Sequence, residues 1–383
     1  MGYKMLTKEN VYYFKTVDDR DFLALMNQVG KNTYGNLFFI SVAERSEGII
    51  SSLQHLCNEQ NIRLTGIVVP GLIIQGDIFY TGFSIYSYSF NFPSMLIKNV
   101  DSTLEDAVAS LVRFVDENTI DGKEMTLNIY IDGGLRNVAS LLDSIYLEIG
   151  DDVRYFGSGC GSEKNAAMPC VFDNEEIVKQ ALLAILIPLN ADPVLEHSYT
   201  SKDIILTIGD VECNQIKSIN WKPAFESYQS LVNREFGNDI QLDKDNLFAK
   251  SVCFPFGINR LDGENIVRIP TMVGDNDNIF CAGEIPPNSI ITLMDPVEAN
   301  SEETINTVRE KIDLGTAEVI LVYYCVGRLA YLKDAGTTEI KKLAKKFEPA
   351  LLVGALSTGE IGSSKKGGYP LLQNATILCN AIG

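Results

Sequence analysis

Short apolar runs recur along this chain in a fixed relation to helical stripes and glycines, and that recurrence limits the fold most. LFFISV (37–42), RLTGIVV (63–69), MTLNIYI (125–131), VRYFG (153–157), VILVYYC (319–325) and ALLVGAL (350–356) are too short to span a bilayer and are rich in β-branched and aromatic residues. Between members of a pair lies a stripe at helical spacing: Ile49, Ile50, Leu53 and Cys57; the segment from Val138 to Ile145; and Ile340, Leu343, Ala344 and Phe347. Alternation of this kind predicts an α/β protein with layered mixed sheets and outer helices.

The second strand of each pair runs into glycines, at PGLIIQGD (70–77), GSGCGSEKN (157–165) and the 357–374 stretch that contains TGEIGSSKKGGY. Residues 1–190 thus read as two units of strand, helix, strand, glycine loop and strand, and the second half repeats the move. Between apolar runs, ADPVLEHSYTSKD (191–203) resets the pattern. The expected domains are therefore 1–190 and 191–383.

Local signals refine this reading. Ser102 with Glu105 forms a capping-box pattern, Ser46 and Ser301 stand where helices open, and Pro223 heads a helix with Phe225, Tyr228 and Val232 on its apolar face. FSIYSYSF (83–90) alternates like a half-exposed strand.

Charge and composition exclude several functions. A net charge of −18 opposes binding to nucleic-acid backbones and to anionic membranes. No segment reads as a transmembrane helix or a secretory leader, and eight dispersed cysteines without CxxC suit reduced thiols, so the expected location is the cytoplasm. Two histidines, His55 and His197, exclude a multi-histidine metal centre, and His55 falls within a helical stripe next to the core. Neither GxGxxG nor GxxxxGK[ST] occurs, so no nucleotide cofactor is implied.

Glycines after strands let backbone approach a ligand and present N–H groups, so the three glycine loops are candidate site elements. In the second of them stand Gly159, Cys160, Gly161 and Ser162. Arg328, just past VILVYYC, can fork onto a carboxylate, either a ligand's or that of Glu360 as a structural partner. Cys160 and Cys325 have no histidine nearby in sequence to activate them, which favours pocket lining over nucleophilic chemistry.

The chain resembles the FIST proteins, with paired N-terminal and C-terminal FIST domains. Cys325, Gly327 and Arg328 match a strand ending in C-x-G-R, and Thr358, Gly359, Glu360, Ile361 and Gly362 match T-x-GEI-G. VRIP (267–270), carrying Arg268, and AGEIPPNSIITLMDP (282–296) resemble further segments of the family. The chain departs at Gln373-Asn374, where the family commonly has His-Asn.

What the resemblance implies is a sensory module that binds a small ligand such as an amino acid, with Arg328 facing its carboxylate and Glu360 its ammonium. The remaining expected ligand-facing residues are Arg268, Cys325, Thr358, Gly359 and Asn374. No catalytic residue, metal or cofactor is expected, and a separate signalling partner would receive the output. Competing readings are an enzyme using Cys160 or Cys325, a haem or nitric oxide sensor, and an interaction scaffold.

Overall fold

The structure is a computed structural model and describes residues 6–382 apart from 30–36, 89, 165–166, 190–191, 238–239, 241, 261–264, 296–301 and 364–367. The boundary placed at 190–191 and the capping role given to Ser301 lie outside the described residues.

The fold is mixed α/β and is organised around three six-stranded sheets with one shared connectivity. The first unit comprises β1 (Val11–Phe14), α1 (Arg20–Val29), β2 (Leu37–Ala43), α2 (Ile50–Glu59), β3 (Arg63–Val69), the hairpin β4 (Leu72–Ile74) and β5 (Asp77–Phe79), and β6 (Phe83–Tyr88). The second comprises β7 (Ser94–Ile97), α3 (Leu104–Asn118), β8 (Met125–Asp132), α4 (Val138–Ile149), β9 (Val153–Cys160), the hairpin β10 (Val171–Asp173) and β11 (Ile177–Val178), and β12 (Leu182–Ile187). In the third, β13 (Val194–Glu196) is followed, after a long insertion, by α5 (Glu302–Lys311), β14 (Val319–Cys325), α6 (Val326–Leu332), α7 (Asp334–Phe347) and β15 (Leu351–Ser357). The hairpin β16 (Glu360–Gly362) and β17 (Leu371–Gln373) and then β18 (Ile377–Ile382) complete it.

Each unit pairs its two long strands in parallel across a helical crossover: β2 with β3, β8 with β9, and β14 with β15. The hairpins do not stay at home. Hairpin β4–β5 joins β15 of the third unit, β10–β11 joins β3 of the first, and β16–β17 joins β9 of the second. The donation is therefore cyclic, and each sheet is completed by another unit.

Because helices cover one face of each sheet, the opposite faces meet in a common core. Phe39 on β2, Tyr130 on β8 and Tyr323 on β14 meet there. Phe39 and Tyr130 stack at 4.8 Å, Tyr130 meets Tyr323 edge-on at 5.8 Å, and the Tyr323 hydroxyl donates to that of Tyr130 at 3.0 Å. A buried tyrosine needs such a partner for its polar end.

The described residues between 200 and 295 form an inserted lobe of short strands with its own core, packed around the helix Ala224–Phe236. Among the described residues, no helix is long and apolar enough to cross a membrane.

Several local expectations change. FSIYSY (83–88) is not half-exposed: it is β6, which lies between β1 and β2 and is buried along its whole length, its serines included. No capping box forms at Ser102. Its hydroxyl bonds back to the Asn99 carbonyl, and α3 begins after Thr103. His55 points outward, 72% exposed and paired with Glu59 at 3.4 Å, rather than toward the core. GSGC (157–160) is the end of β9, not a loop, and Gly157 is required there because a Cβ would stand 1.7 Å from the Ile129 carbonyl oxygen of the paired strand.

Candidate functional site

Residues 358–362 and 371–374 meet three of the expected site residues that lie outside them, Gly159, Cys325 and Arg268. Gly159 N–H donates to the Gly359 carbonyl at 2.8 Å, and Thr358 N–H donates to the Gly159 carbonyl at 3.1 Å. The Thr358 side chain packs so tightly onto two glycines that a Cβ on Gly133 would fall 2.1 Å from its Oγ1 and one on Gly159 2.5 Å away. Close approach, not a turn, explains those glycines.

Glu360 is fully buried and, among the described residues, has no basic partner. Its Oε1 accepts from Ser357 Oγ at 2.5 Å, and its Oε2 accepts from Thr376 Oγ1 and, at 3.3 Å, from Thr376 N–H. Burial pushes its pKa up to about 8 despite those donors and a hydrogen bond from Cys325. Burial also raises the Cys325 thiol far above its usual range, and the Glu360 charge adds to the rise.

Arg328 is likewise buried, but its partner is Glu339 on α7, which corrects the expected pairing with Glu360. Nε and Nη2 fork onto the two Glu339 oxygens at 2.7 Å each, and Tyr324 donates to the same carboxylate at 2.6 Å. Nη1 donates to the carbonyls of His197 at 2.8 Å and Ala375 at 3.4 Å, and Nη2 donates to Thr304 Oγ1 at 3.2 Å. Burial alone would lower its pKa, but bonding to Glu339 outweighs that and holds it above the usual arginine range. The fork is thus occupied by the protein itself.

Arg268 is buried in the inserted lobe and donates to three carbonyls: Glu284 at 2.8 Å, Val267 at 2.9 Å and, on β17, Leu372 at 2.9 Å. Gln373 reinforces that junction by accepting from Val267 N–H at 2.9 Å and donating to the Asn265 carbonyl at 3.1 Å. Across from it, Glu284 accepts from Ser140 N–H and Oγ at 2.9 and 2.7 Å. The lobe is therefore tied to the body by side chains.

Cys160 donates to the Ile131 carbonyl at 2.8 Å and is buried, and Gly161 takes a left-handed φ of 116°. Ser162 donates to Glu44 at 2.6 Å as a turn tie. Asn374 is buried, with its Nδ2 on the Gln373 carbonyl at 3.3 Å and its Oδ1 without a partner among the described residues. Among the described residues no group of three or more His, Cys, Asp and Glu side chains could hold a metal ion.

Between body and lobe opens a cleft of about 800 Å³. Of the expected residues, Gly159 and Thr358 line it. Arg328, Glu360, Cys325 and Arg268 do not. The body wall also carries Gly133, Gly134, Arg136, Glu163 and Lys164, and the lobe wall carries Lys244, Asp245 and Phe248. Gly133-Gly134 directly follow the MTLNIYI strand, a signal as plain as the glycines after 69 and 157 and one that sequence reasoning passed over. The lobe wall gave no such signal, since its short polar segments have no period. Thr358 Oγ1 is buried on this wall and has no hydrogen-bond partner among the described residues.

A three-sheet α/β body with an inserted lobe across a polar cleft defines the class: a multi-lobed α/β protein with one large interlobe cavity. Residues 36–222 match the FIST N domain and residues 224–363 the FIST C domain, and the chain belongs to the FIST family. FIST domains are associated with sensory signal transduction. No curated protein matches the sequence.

Proposed function

We propose that the protein is a cytoplasmic sensory module that binds a small zwitterion, an amino acid or a close derivative, in the cleft between body and lobe and passes the signal to a separate protein partner. The observation that carries this reading is Thr358, which lines the cleft and whose Oγ1, held against two glycines, has no hydrogen-bond partner among the described residues. A buried polar atom left unpaired is costly, and a ligand group that bonds it recovers that cost.

Charges of both signs line the same cleft. Arg136 and Lys164 suit a carboxylate, and Glu163 and Asp245 suit an ammonium group. They replace Arg328 and Glu360 in the recognition of the two ends, because those two side chains are withdrawn from solvent into their own networks. Eight free cysteines suit a reducing compartment.

The test is a thermal-shift screen over the amino acids, followed by calorimetry on any hit for the wild type and Thr358→Val. Loss of one hydrogen bond, about 0.5–1.5 kcal/mol, should weaken the hit roughly 2- to 12-fold. The ligand-free melting temperature should not fall, because valine removes an unsatisfied hydroxyl. A screen with no hit, or a hit that binds Thr358→Val unchanged, would overturn the proposal.

A further inference from the structure

On the outer side of the second sheet, α3 and α4 leave a groove of about 630 Å³ between them. Its floor is apolar, with Leu104, Val108 and Val112 from α3, and at its edge Leu147 of α4 is 82% exposed. A leucine so exposed beside a groove departs from the normal placement of apolar side chains next to a sheet-covering helix. Its rim is acidic: Glu105, Asp116 and Glu148 stand against one lining cation, Arg113, and among the described residues none of these four makes an ion pair.

We propose that this groove is a docking site for a basic amphipathic helix of a partner protein. The lining residues of α3 span Leu104 to Asp116, thirteen positions whose rise at 1.5 Å per residue gives about 18 Å of trough and matches a partner helix of about three turns. An apolar stripe at i, i+3, i+4 and i+7 would lie on the leucines and valines, and flanking lysines or arginines would meet the unpaired acids. The excess of acid over base on the rim selects a cationic helix over an acidic one and excludes an anionic lipid surface.

The groove also shares a helix with the cleft. Val138 at the start of α4 lines the cleft, Ser140 holds Glu284 of the lobe, and Ser144, Leu147 and Glu148 further along line the groove. The docking site does not depend on what the cleft binds.

The probe is a fluorescein-labelled 14-residue Lys/Leu peptide with leucines at i, i+3, i+4 and i+7, titrated with the full-length protein at near-physiological salt. The wild type should saturate with a micromolar Kd. Leu147→Asp, a change at an exposed position, should weaken binding about tenfold or more, and Glu105→Gln/Asp116→Asn/Glu148→Gln about fivefold or more with a flatter salt dependence. Because the whole chain is acidic, an equal charge change elsewhere, Glu303→Gln/Glu310→Gln/Glu348→Gln, is the control and should alter Kd less than about twofold. Absence of saturable binding, a Kd that Leu147→Asp leaves within about twofold, or equal effects of the two charge triples would overturn the assignment.

Discussion

Glu360 makes the sharpest test of the network at the strand ends. In the folded protein its carboxyl is fully buried, meets no cation among the described residues, and has its pKa pushed up from 4.5 to about 8. Between those two values the folded state holds a proton that the unfolded chain has released. Stability therefore falls as pH rises from about 4.5 to about 8 and levels off beyond. At about 1.36 kcal/mol per pH unit, the 3.5-unit gap amounts to roughly 5 kcal/mol over the window. Glu360→Gln is isosteric and cannot ionise, so it lacks this slope. Urea denaturation of both proteins at pH 5, 6.5, 8 and 9 should show the variant gaining on the wild type by several kcal/mol from pH 5 to 8, with no further gain at pH 9. A difference that stays flat, or that shrinks as pH rises, would refute the reasoning and mean that the carboxylate is compensated in the fold.

Three further outcomes follow from named contacts. Glu339→Ala orphans the buried Arg328 and should cost about 3–5 kcal/mol, whereas Arg328→Met/Glu339→Leu should recover most of that loss, as read by denaturation midpoints in a double-mutant cycle. Gly157→Ala drives a Cβ into the Ile129 carbonyl and should cost more than 3 kcal/mol or abolish soluble expression, while Gly48→Ala, where a Cβ meets nothing within 4 Å, should be tolerated. Gln373→Leu leaves Val267 N–H without its acceptor and should cost about 1–3 kcal/mol, with faster amide exchange confined to 265–268.

The long strands and helical stripes were legible because each buries a continuous run or a regular face. β14 and β15, seven residues each, are buried almost throughout, and so are the stripe residues of α7. The hairpins were not legible as strands. Leu72–Ile74 and Glu360–Gly362 are three residues long, too short to show a period, and their partners lie more than 190 residues away in sequence. The partner of Arg328 could have been found. Glu339 falls four positions before Leu343 and three after Gly336, on the apolar face of α7, and an acid at that position calls for a buried cation. The cleft was half legible. Its body wall is built from glycine-bearing strand ends, but its lobe wall comes from irregular segments whose only common property is where the chain folds back.

The exchange of hairpins sets an order of events for a chain emerging from the ribosome. The parallel pair of the second unit is synthesised by residue 160, yet the strand that covers β9 is residues 360–362, so that sheet carries an open edge for some 200 residues of further elongation. An unpaired edge between buried strands is a template for wrong partners. The first sheet waits only from residue 69 to residue 171. The third receives β4 and β5, which were made long before β15 existed. Nascent chains stalled near residue 200 should therefore occupy chaperones that recognise exposed strand edges, and release should come only when β16 and β17 have left the exit tunnel.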